Sequence, residues 1–174
     1  MLLVATSPLM NSSTSICPVP IEQRPINEYQ ELKSSWFFGW ATLDLKRYVT
    51  PMVWIWGLSW IVTAPVAAVS FPPGKYLGHF LLSGAAGSSL LLILVLIRLY
   101  LGWVYVCDRL LDAHVFYEES GWYDGQTWAK PPEVLLQDQL IVTYQIKPIF
   151  SRLKYTFLIL GSFFVCGSLL WNFV

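Results

Sequence analysis

Three apolar runs are the feature that most constrains what this chain can fold into. They cover about residues 50–70, 77–98 and 155–174. At 1.5 Å per residue, about 20 helical residues cross the roughly 30 Å hydrocarbon core of a bilayer. Because 55% of the residues are apolar and 13% are charged, a very apolar soluble helical domain is the weaker alternative. We therefore predict an all-α membrane protein: three transmembrane helices and a small cytoplasmic or stromal helical subdomain containing one tight aromatic turn or hairpin.

The basic residues predict how the chain crosses the membrane. The loop between the first two runs holds only Lys75, whereas most basic residues lie before the first run or between the second and third. Basic residues favour the cytoplasmic-type side. The N-terminus and the central segment are therefore predicted on that side, together with every Asp and Glu, and the C-terminus on the opposite side.

The segment before the first run divides into two parts. Residues 1–16 contain Pro8 and no basic n-region, so they predict a disordered tail rather than a signal peptide. Residues 17–49 predict an extended, proline-rich segment followed by an interfacial helix from about Ser34 to Tyr48, since aromatic side chains there recur at helical spacing. The alternative is that these aromatic residues pack on the protein itself.

Small residues in the second run predict a close helix contact. They are spaced four apart, as two small-xxx-small pairs, and such pairs let two helix backbones approach each other. The helix-packing residues are Ser83, Gly84, Gly87 and Ser88. An alternative use of the same stripe is to receive the flat ring of a pigment.

Residues 99–154 predict the polar subdomain. Arg98 lies at the end of the second run, where it can extend to the headgroups. The apolar pattern continues from Leu99 to Phe116 without proline, which predicts a helix that protrudes into water. An Asp-Gly pair flanked by aromatic residues then predicts a tight turn or small hairpin. A return helix from about Pro132 to Ile146 is expected to pack beside the protruding helix.

The aromatic and acidic residues around this turn predict a partner-binding surface. Aromatic rings supply contact area and carboxylates supply orientation. The predicted residues are Tyr117, Glu118, Glu119, Trp122, Tyr123, Asp124, Gln126 and Trp128. The alternative is that these rings pack on the protruding helix or lie in the headgroups.

No residue pattern in the chain carries a known catalytic or metal chemistry. The three cysteines are widely spaced and predict neither a disulfide framework nor a zinc site. His114 and Glu118 are four apart, but no second pair completes a di-metal site. A membrane enzyme using Asp108, Asp112, His114 and Glu118 is the minor alternative, so we predict no catalytic residues and no metal.

The chain resembles the hypothetical chloroplast reading frame 36 family, also called the membrane proteins conserved in the green lineage and diatoms. The resemblance covers about residues 17–160 and lies in the strings CPVPIEQRPINEY, RLLDAHVFYEESGWYDGQTWAKP and DQLIVTYQIKPIFSRL. It implies a cyanobacterial or plastid thylakoid protein, in which the predicted topology would make the C-terminus lumenal. It also implies an auxiliary role in photosynthesis, either in the biogenesis or stability of a photosynthetic complex or in linked pigment or iron handling. Because the residues form no catalytic constellation, we predict a non-enzymatic role in the assembly or stability of such a complex, whose subunits or assembly factors would be its partners.

The alternative function is pigment or lipid binding linked to chlorophyll, carotenoid or iron homeostasis. In that case His79 or His114 would ligate a chlorophyll-like metal centre. No cofactor is predicted by the residues themselves, and chlorophyll or carotenoid belongs only to this alternative. Zero formal net charge gives no basic field for nucleic acid.

Overall fold

The computed structural model describes residues 17–118 and 125–173. Three helices in this part of the chain are long and apolar enough to cross a membrane: α2, α3, and the run in which α4, a π-helical turn and α5 follow one another without a break from Pro132 to Leu170. The elements in chain order are α1 (Pro25–Ser34), α2 (Leu45–Ser70), α3 (Leu77–Leu111), β1 (His114–Tyr117), β2 (Gln126–Ala129), α4 (Pro132–Ile141), the π turn (Val142–Ile146) and α5 (Lys147–Leu170).

Helix α3 is the central element of the fold. Its 35 residues extend about 52 Å at 1.5 Å per residue, so about 20 Å would project beyond a hydrocarbon core of roughly 30 Å. The residues that α3 buries recur every three or four positions, on one face, and α1, α2 and α5 pack against this helix. These residues are Leu92, Leu96, Leu99, Trp103, Val106 and Leu110.

The rest of each long helix exposes apolar side chains. Only 17% of the most apolar window of α2 is buried, and only 6% of that in the helix ending at Leu170. A soluble protein rarely exposes contiguous apolar surface on this scale. The core therefore lies toward one end of the helices, where Leu96, Leu99, Trp103, Ile146 and Leu153 have no exposed surface.

The predicted interfacial helix from Ser34 to Tyr48 is wrong. Helix α1 ends at Ser34, the chain turns through a short 3-10 helix (Gly39–Thr42), and α2 begins at Leu45. The turn is tight because Gly39 lies against the backbone of Lys33, where a Cβ would be 2.5 Å from the carbonyl oxygen. Trp40 is buried in the core, whereas Trp36 is 89% exposed, so only part of this segment packs on the protein itself.

The predicted helix from Leu99 to Phe116 is too long. Helix α3 ends at Leu111, and His114–Tyr117 forms strand β1, antiparallel to β2. The helix ends there because Asp112 is extended (φ −63°, ψ 133°) and the residues after Ala113 pair with strand β2. The predicted hairpin is therefore present, but it uses residues that the periodicity assigned to the helix. The Asp-Gly turn itself includes Asp124, which lies outside the described residues.

Candidate interaction site at the polar end of the helices

The hairpin has an inner and an outer face. Val115 pairs with Trp128 and Tyr117 with Gln126, whereas Phe116 pairs with Thr127. Residues directly opposite each other in an antiparallel pair lie on the same face. Val115 and Tyr117 are buried against Val19, so their pairs form the inner face and the pairs of His114 and Phe116 form the outer face.

Three of the predicted partner-binding residues lie on the inner face. Tyr117 is buried, and its hydroxyl donates a hydrogen bond to Gln126 Oε1 at 3.0 Å. Trp128 packs against the small cluster of Val19, Val115 and Tyr117. Tyr117 is thus part of the hairpin's core and is not available as a contact residue. Period-two alternation decides this outcome, because it turns every second side chain of β1 inward.

Glu118 joins the N-terminal segment to the hairpin. The side-chain amide of Gln23 donates to the Glu118 carbonyl at 3.1 Å and accepts from the Glu118 amide at 2.9 Å. The amide group thus pairs with the backbone as a neighbouring strand would. Glu119, Trp122, Tyr123 and Asp124 lie outside the described residues, so their predicted role in partner binding stays a prediction.

Arg109 ties α3 to the same segment. Its Nε lies 3.2 Å from Glu28 Oε2 in α1, and its other nitrogens donate to the Gln23 carbonyl and the Tyr105 hydroxyl, each at 3.1 Å. The planar guanidinium has donors for all three contacts. Arg109 therefore fixes the N-terminal segment against the protruding end of α3.

Burial raises the pKa of Glu28 above its ordinary value of 4.5. The positive charge of Arg109 opposes this increase, and the negative charge of Glu31 adds to it. A raised pKa means that the folded protein takes up this proton more readily than the unfolded chain. We expect wild type to gain stability relative to Glu28→Gln as the pH falls from neutral through that raised pKa. Unfolding midpoints of both proteins between pH 7 and pH 4.5 measure the effect. A relative loss on acidification would mean that the ion pair with Arg109 outweighs the burial.

Lys130 and Asp138 form a buried ion pair beneath the hairpin. Their Nζ and Oδ2 atoms are 2.8 Å apart, and the two side chains are 1% and 5% exposed. The Lys130 ammonium also donates to the carbonyls of Arg109 and Leu110, each at 3.0 Å. These carbonyls belong to the last turn of α3, which has no intrahelical donors for them. The pair thus caps α3 and joins it to β2 and α4.

The outer face presents exposed aromatic and ionisable side chains. Phe116 is 65% exposed and Tyr105 is 56% exposed. Together with Arg109, Asp112 and His114 they line a cavity of about 190 Å³ between the hairpin and α3. We call Tyr105, Asp112, His114 and Phe116 the outer face cluster. Sequence reasoning missed Phe116 and Tyr105 as contact residues, because the outward position of Phe116 follows only from the strand conformation of His114–Tyr117.

The strand separates two members of the alternative catalytic or metal set. Glu118 and His114 lie at opposite ends of β1, about 13 Å apart at roughly 3.3 Å per residue, rather than on adjacent helical turns. Within residues 17–118 and 125–173, no three His, Cys, Asp or Glu side chains are close enough to hold a metal ion.

Cys107 is buried. Burial is the main cause that raises the pKa of its thiol, and the negative charge of Asp108 adds to the increase, whereas the positive charge of Lys147 opposes it.

The two histidines are far from one another in the fold. His114 is exposed at the start of β1. His79 lies near the first turn of α3, where its ring stacks on Phe71 at 5.5 Å and meets the edge of Trp171 at 4.6 Å. Its Nδ1 is buried without a hydrogen-bond partner in the described part of the chain.

The small residues of α3 lie at close contacts with its neighbours. A Cβ on Gly84 would lie 2.7 Å from the Trp60 ring, and one on Gly87 would lie 3.0 Å from Thr63 Cγ2. The Ser88 hydroxyl lies 2.7 Å from that of Thr63. Three of the four predicted helix-packing residues thus face α2. Ser83 instead lines a cavity between α3 and α5.

The fold and this site define a small helical protein with three helices of membrane-spanning length and a polar end built from a hairpin, an N-terminal segment and buried or half-buried ion pairs. Residues 17–159 match the family described as CGLD27-like, conserved in the green lineage and diatoms 27. The chain belongs to this family.

Several relatives resemble the chain over most of its length. It is 46% identical to the ycf36 protein of Porphyra purpurea over 84% of this chain and 89% of that one. It is 45% identical to the ycf36 protein of Pyropia yezoensis over 92% and 97%. The chloroplastic protein conserved in the green lineage and diatoms 27 of Arabidopsis thaliana is 43% identical over 89% of this chain and 48% of its own length. No solved structure matches the chain.

Proposed function

We propose that this protein is an auxiliary integral protein of the thylakoid membrane that acts without catalysis in the assembly or stability of a photosynthetic complex. The observation that carries the proposal is an aromatic, ionisable surface on a rigid polar end, above three helices that expose apolar side chains. A chloroplastic relative supports the photosynthetic setting. The N-terminus and polar end lie on the cytoplasmic or stromal side, and the C-terminus is lumenal, because the basic residues cluster at that end.

The partner docks on the outer face cluster and on the segment between β1 and β2. Phe116 and Tyr105 supply exposed aromatic area, Asp112 and His114 line the same cavity, and Glu118 is exposed just after β1. Interfaces are typically held by a few aromatic contacts with polar residues at their rim. Glu119, Trp122, Tyr123 and Asp124, which lie between the two strands in sequence, are predicted to contribute to the same contact, and Gln126 and Trp128 support it from the inner face of the hairpin.

Phe116→Ala tests the proposal. We expect recovery of the partner to fall about tenfold, because truncation of a central aromatic contact costs about 1–2 kcal/mol or more. The measurement is affinity purification of the tagged full chain from photosynthetic membranes, with photosystem subunits and assembly factors quantified by mass spectrometry. Tyr76→Ala is the matched control, since Tyr76 is 55% exposed on the loop at the other end of the helices.

Two outcomes would overturn the two parts of the proposed function, namely docking on the outer face cluster and integration into the membrane. Equal partner recovery by Phe116→Ala and wild type would exclude the outer face cluster. A tagged wild-type protein that leaves the membrane on alkaline carbonate extraction would exclude an integral membrane protein. Simultaneous replacement of Trp122 and Asp124 should also abolish capture while the protein still accumulates in the membrane.

A further inference from the structure

A long apolar groove runs between α2 and α5, with α3 as its floor. Its volume is about 680 Å³. Both walls pack against α3, and the hydroxyls of Tyr48 and Thr156, 3.0 Å apart, join the two walls at one end. The lining is almost entirely apolar along its length, with Met52, Trp56, Leu92, Ile159 and Phe163 among its residues.

One end of the groove is polar and positively charged. Arg152 lies there beside Tyr48 and Thr156. Its Nη1 donates to the Leu43 carbonyl at 2.6 Å, and within residues 17–118 and 125–173 it forms no ion pair with a carboxylate. A guanidinium has five N–H donors, and its fork matches a phosphate group. The donors not used on Leu43 can therefore bind an anion at the mouth of the groove.

The dimensions of the groove match one leaflet of a bilayer. From Arg152 to Phe163 is eleven residues of α5, or about 16 Å at 1.5 Å per residue. That is about half of a hydrocarbon core of roughly 30 Å. Arg152 is at the end of α5 nearest the basic polar end of the protein, so the charged mouth lies at headgroup level and the apolar length lies in the acyl region.

We infer that this groove binds one anionic glycerolipid, with its phosphate on Arg152 and one acyl chain along α2 and α5. The inference rests on the membrane-spanning part of the proposed function but not on partner docking. The groove spans about one leaflet, whereas a membrane helix of a second protein would continue through the other leaflet. An anionic lipid satisfies both ends of the groove, because basic residues at this level attract acidic headgroups.

Arg152→Gln tests the headgroup contact. The purified full chain in mild detergent is titrated with dioleoyl phosphatidylglycerol and with dioleoyl phosphatidylcholine, and bound lipid is counted by native mass spectrometry. We expect wild type to prefer phosphatidylglycerol and Arg152→Gln to bind it about tenfold more weakly, as for loss of a charge-assisted hydrogen bond. Lys154→Gln is the matched control, since Lys154 is exposed on the same helix and lies outside the groove.

Ile159→Trp tests the acyl-chain contact independently. Ile159 lines the groove and is 68% exposed, so a larger side chain fills the groove without entering the core. We expect this variant to lose both lipids, whereas Leu158→Trp, which is outside the groove and 61% exposed, retains them. Phe116→Ala should retain phosphatidylglycerol, which separates lipid binding from partner docking.

Three results would overturn the inference. Equal binding of the two lipids by wild type would exclude recognition of the anion. Equal phosphatidylglycerol binding by Arg152→Gln and Lys154→Gln would exclude Arg152. A dimer or a bound polypeptide that Ile159→Trp releases, in place of lipid, would show that protein occupies the groove.

Discussion

Replacement of Lys130 by methionine is expected to lower the free energy of unfolding by about 3–5 kcal/mol, because it leaves the buried Asp138 carboxylate without its partner. The same change removes the donor for two carbonyls at the end of α3. Methionine keeps most of the side-chain length, so lost volume contributes little. Denaturant unfolding of the full chain in mild detergent, followed by tryptophan fluorescence, measures the loss. Lys75→Met, at an exposed loop position, is the control and should leave stability unchanged.

A double variant separates the charge from the packing. Lys130→Met with Asp138→Leu removes both members of the pair, and replacement of a buried ion pair by apolar residues is often neutral or stabilising. We expect the double variant to recover much of the stability that the single variant loses. A double variant as unstable as Lys130→Met would show that the two α3 carbonyls, rather than the carboxylate, dominate the cost.

The long helices were predictable because their signal is local. Residues 77–97 are predominantly apolar and contain no Asp, Glu, Lys or Arg, and helix α3 covers that range and extends to Leu111. Each run is apolar enough to be recognised as a helix of its own, and the proline-containing segment Phe71–Gly74 marks the boundary between α2 and α3 in the sequence. The start of α2 is less accurate: the first apolar run begins at about residue 50, whereas the helix begins at Leu45, because Lys46 and Arg47 belong to the helix but not to the apolar run.

The hairpin was harder to predict because its partner strand is distant. Residues 114–117 continue the apolar pattern of α3, and nothing within four residues indicates an extended backbone. Their strand conformation depends on pairing with residues 126–129 and on the Lys130 amide, which donates to the Ala113 carbonyl at 2.9 Å. Tertiary context of this kind overrides local propensity, and it placed Tyr117 inward and Phe116 outward.

The buried ion pair had no sequence signal at all. Lys130 and Asp138 are eight residues apart, and Asp138 lies off the stripe of Leu136, Leu140 and Tyr144 that helical periodicity predicts as the buried face of α4. The structure buries the other side of α4: Asp138 is 3% exposed, whereas Leu136 is 61% exposed. The buried face of α4 carries a charged side chain because the ammonium of Lys130 and the end of α3 lie against Asp138. Periodicity counts apolar residues, so it cannot find a buried face built on a charge pair.

Replacement of Gly84 by leucine is expected to separate α2 from α3 and to cost about 1–3 kcal/mol or more, as overpacking of a close contact does. The first added carbon would lie 2.7 Å from the Trp60 ring, and the remaining three carbons extend into the same space. Leucine is the better helix former by roughly 1 kcal/mol, so any loss of stability must come from the contact. Gly87→Ala should cost less, because it adds a single carbon, which would lie 3.0 Å from Thr63 Cγ2.

Gly57→Leu and Gly161→Leu are the matched controls for this contact. Both glycines lie within long helices, and a Cβ added to either would meet no atom within 4 Å. Because leucine has a higher helix propensity than glycine and disturbs no contact at these positions, both controls should be as stable as wild type or more so. Titration with sodium dodecyl sulfate, followed by tryptophan fluorescence, compares the four variants. If Gly84→Leu unfolds at the same detergent fraction as Gly161→Leu, then Trp60 moves aside freely and the small-residue stripe does not hold the two helices together.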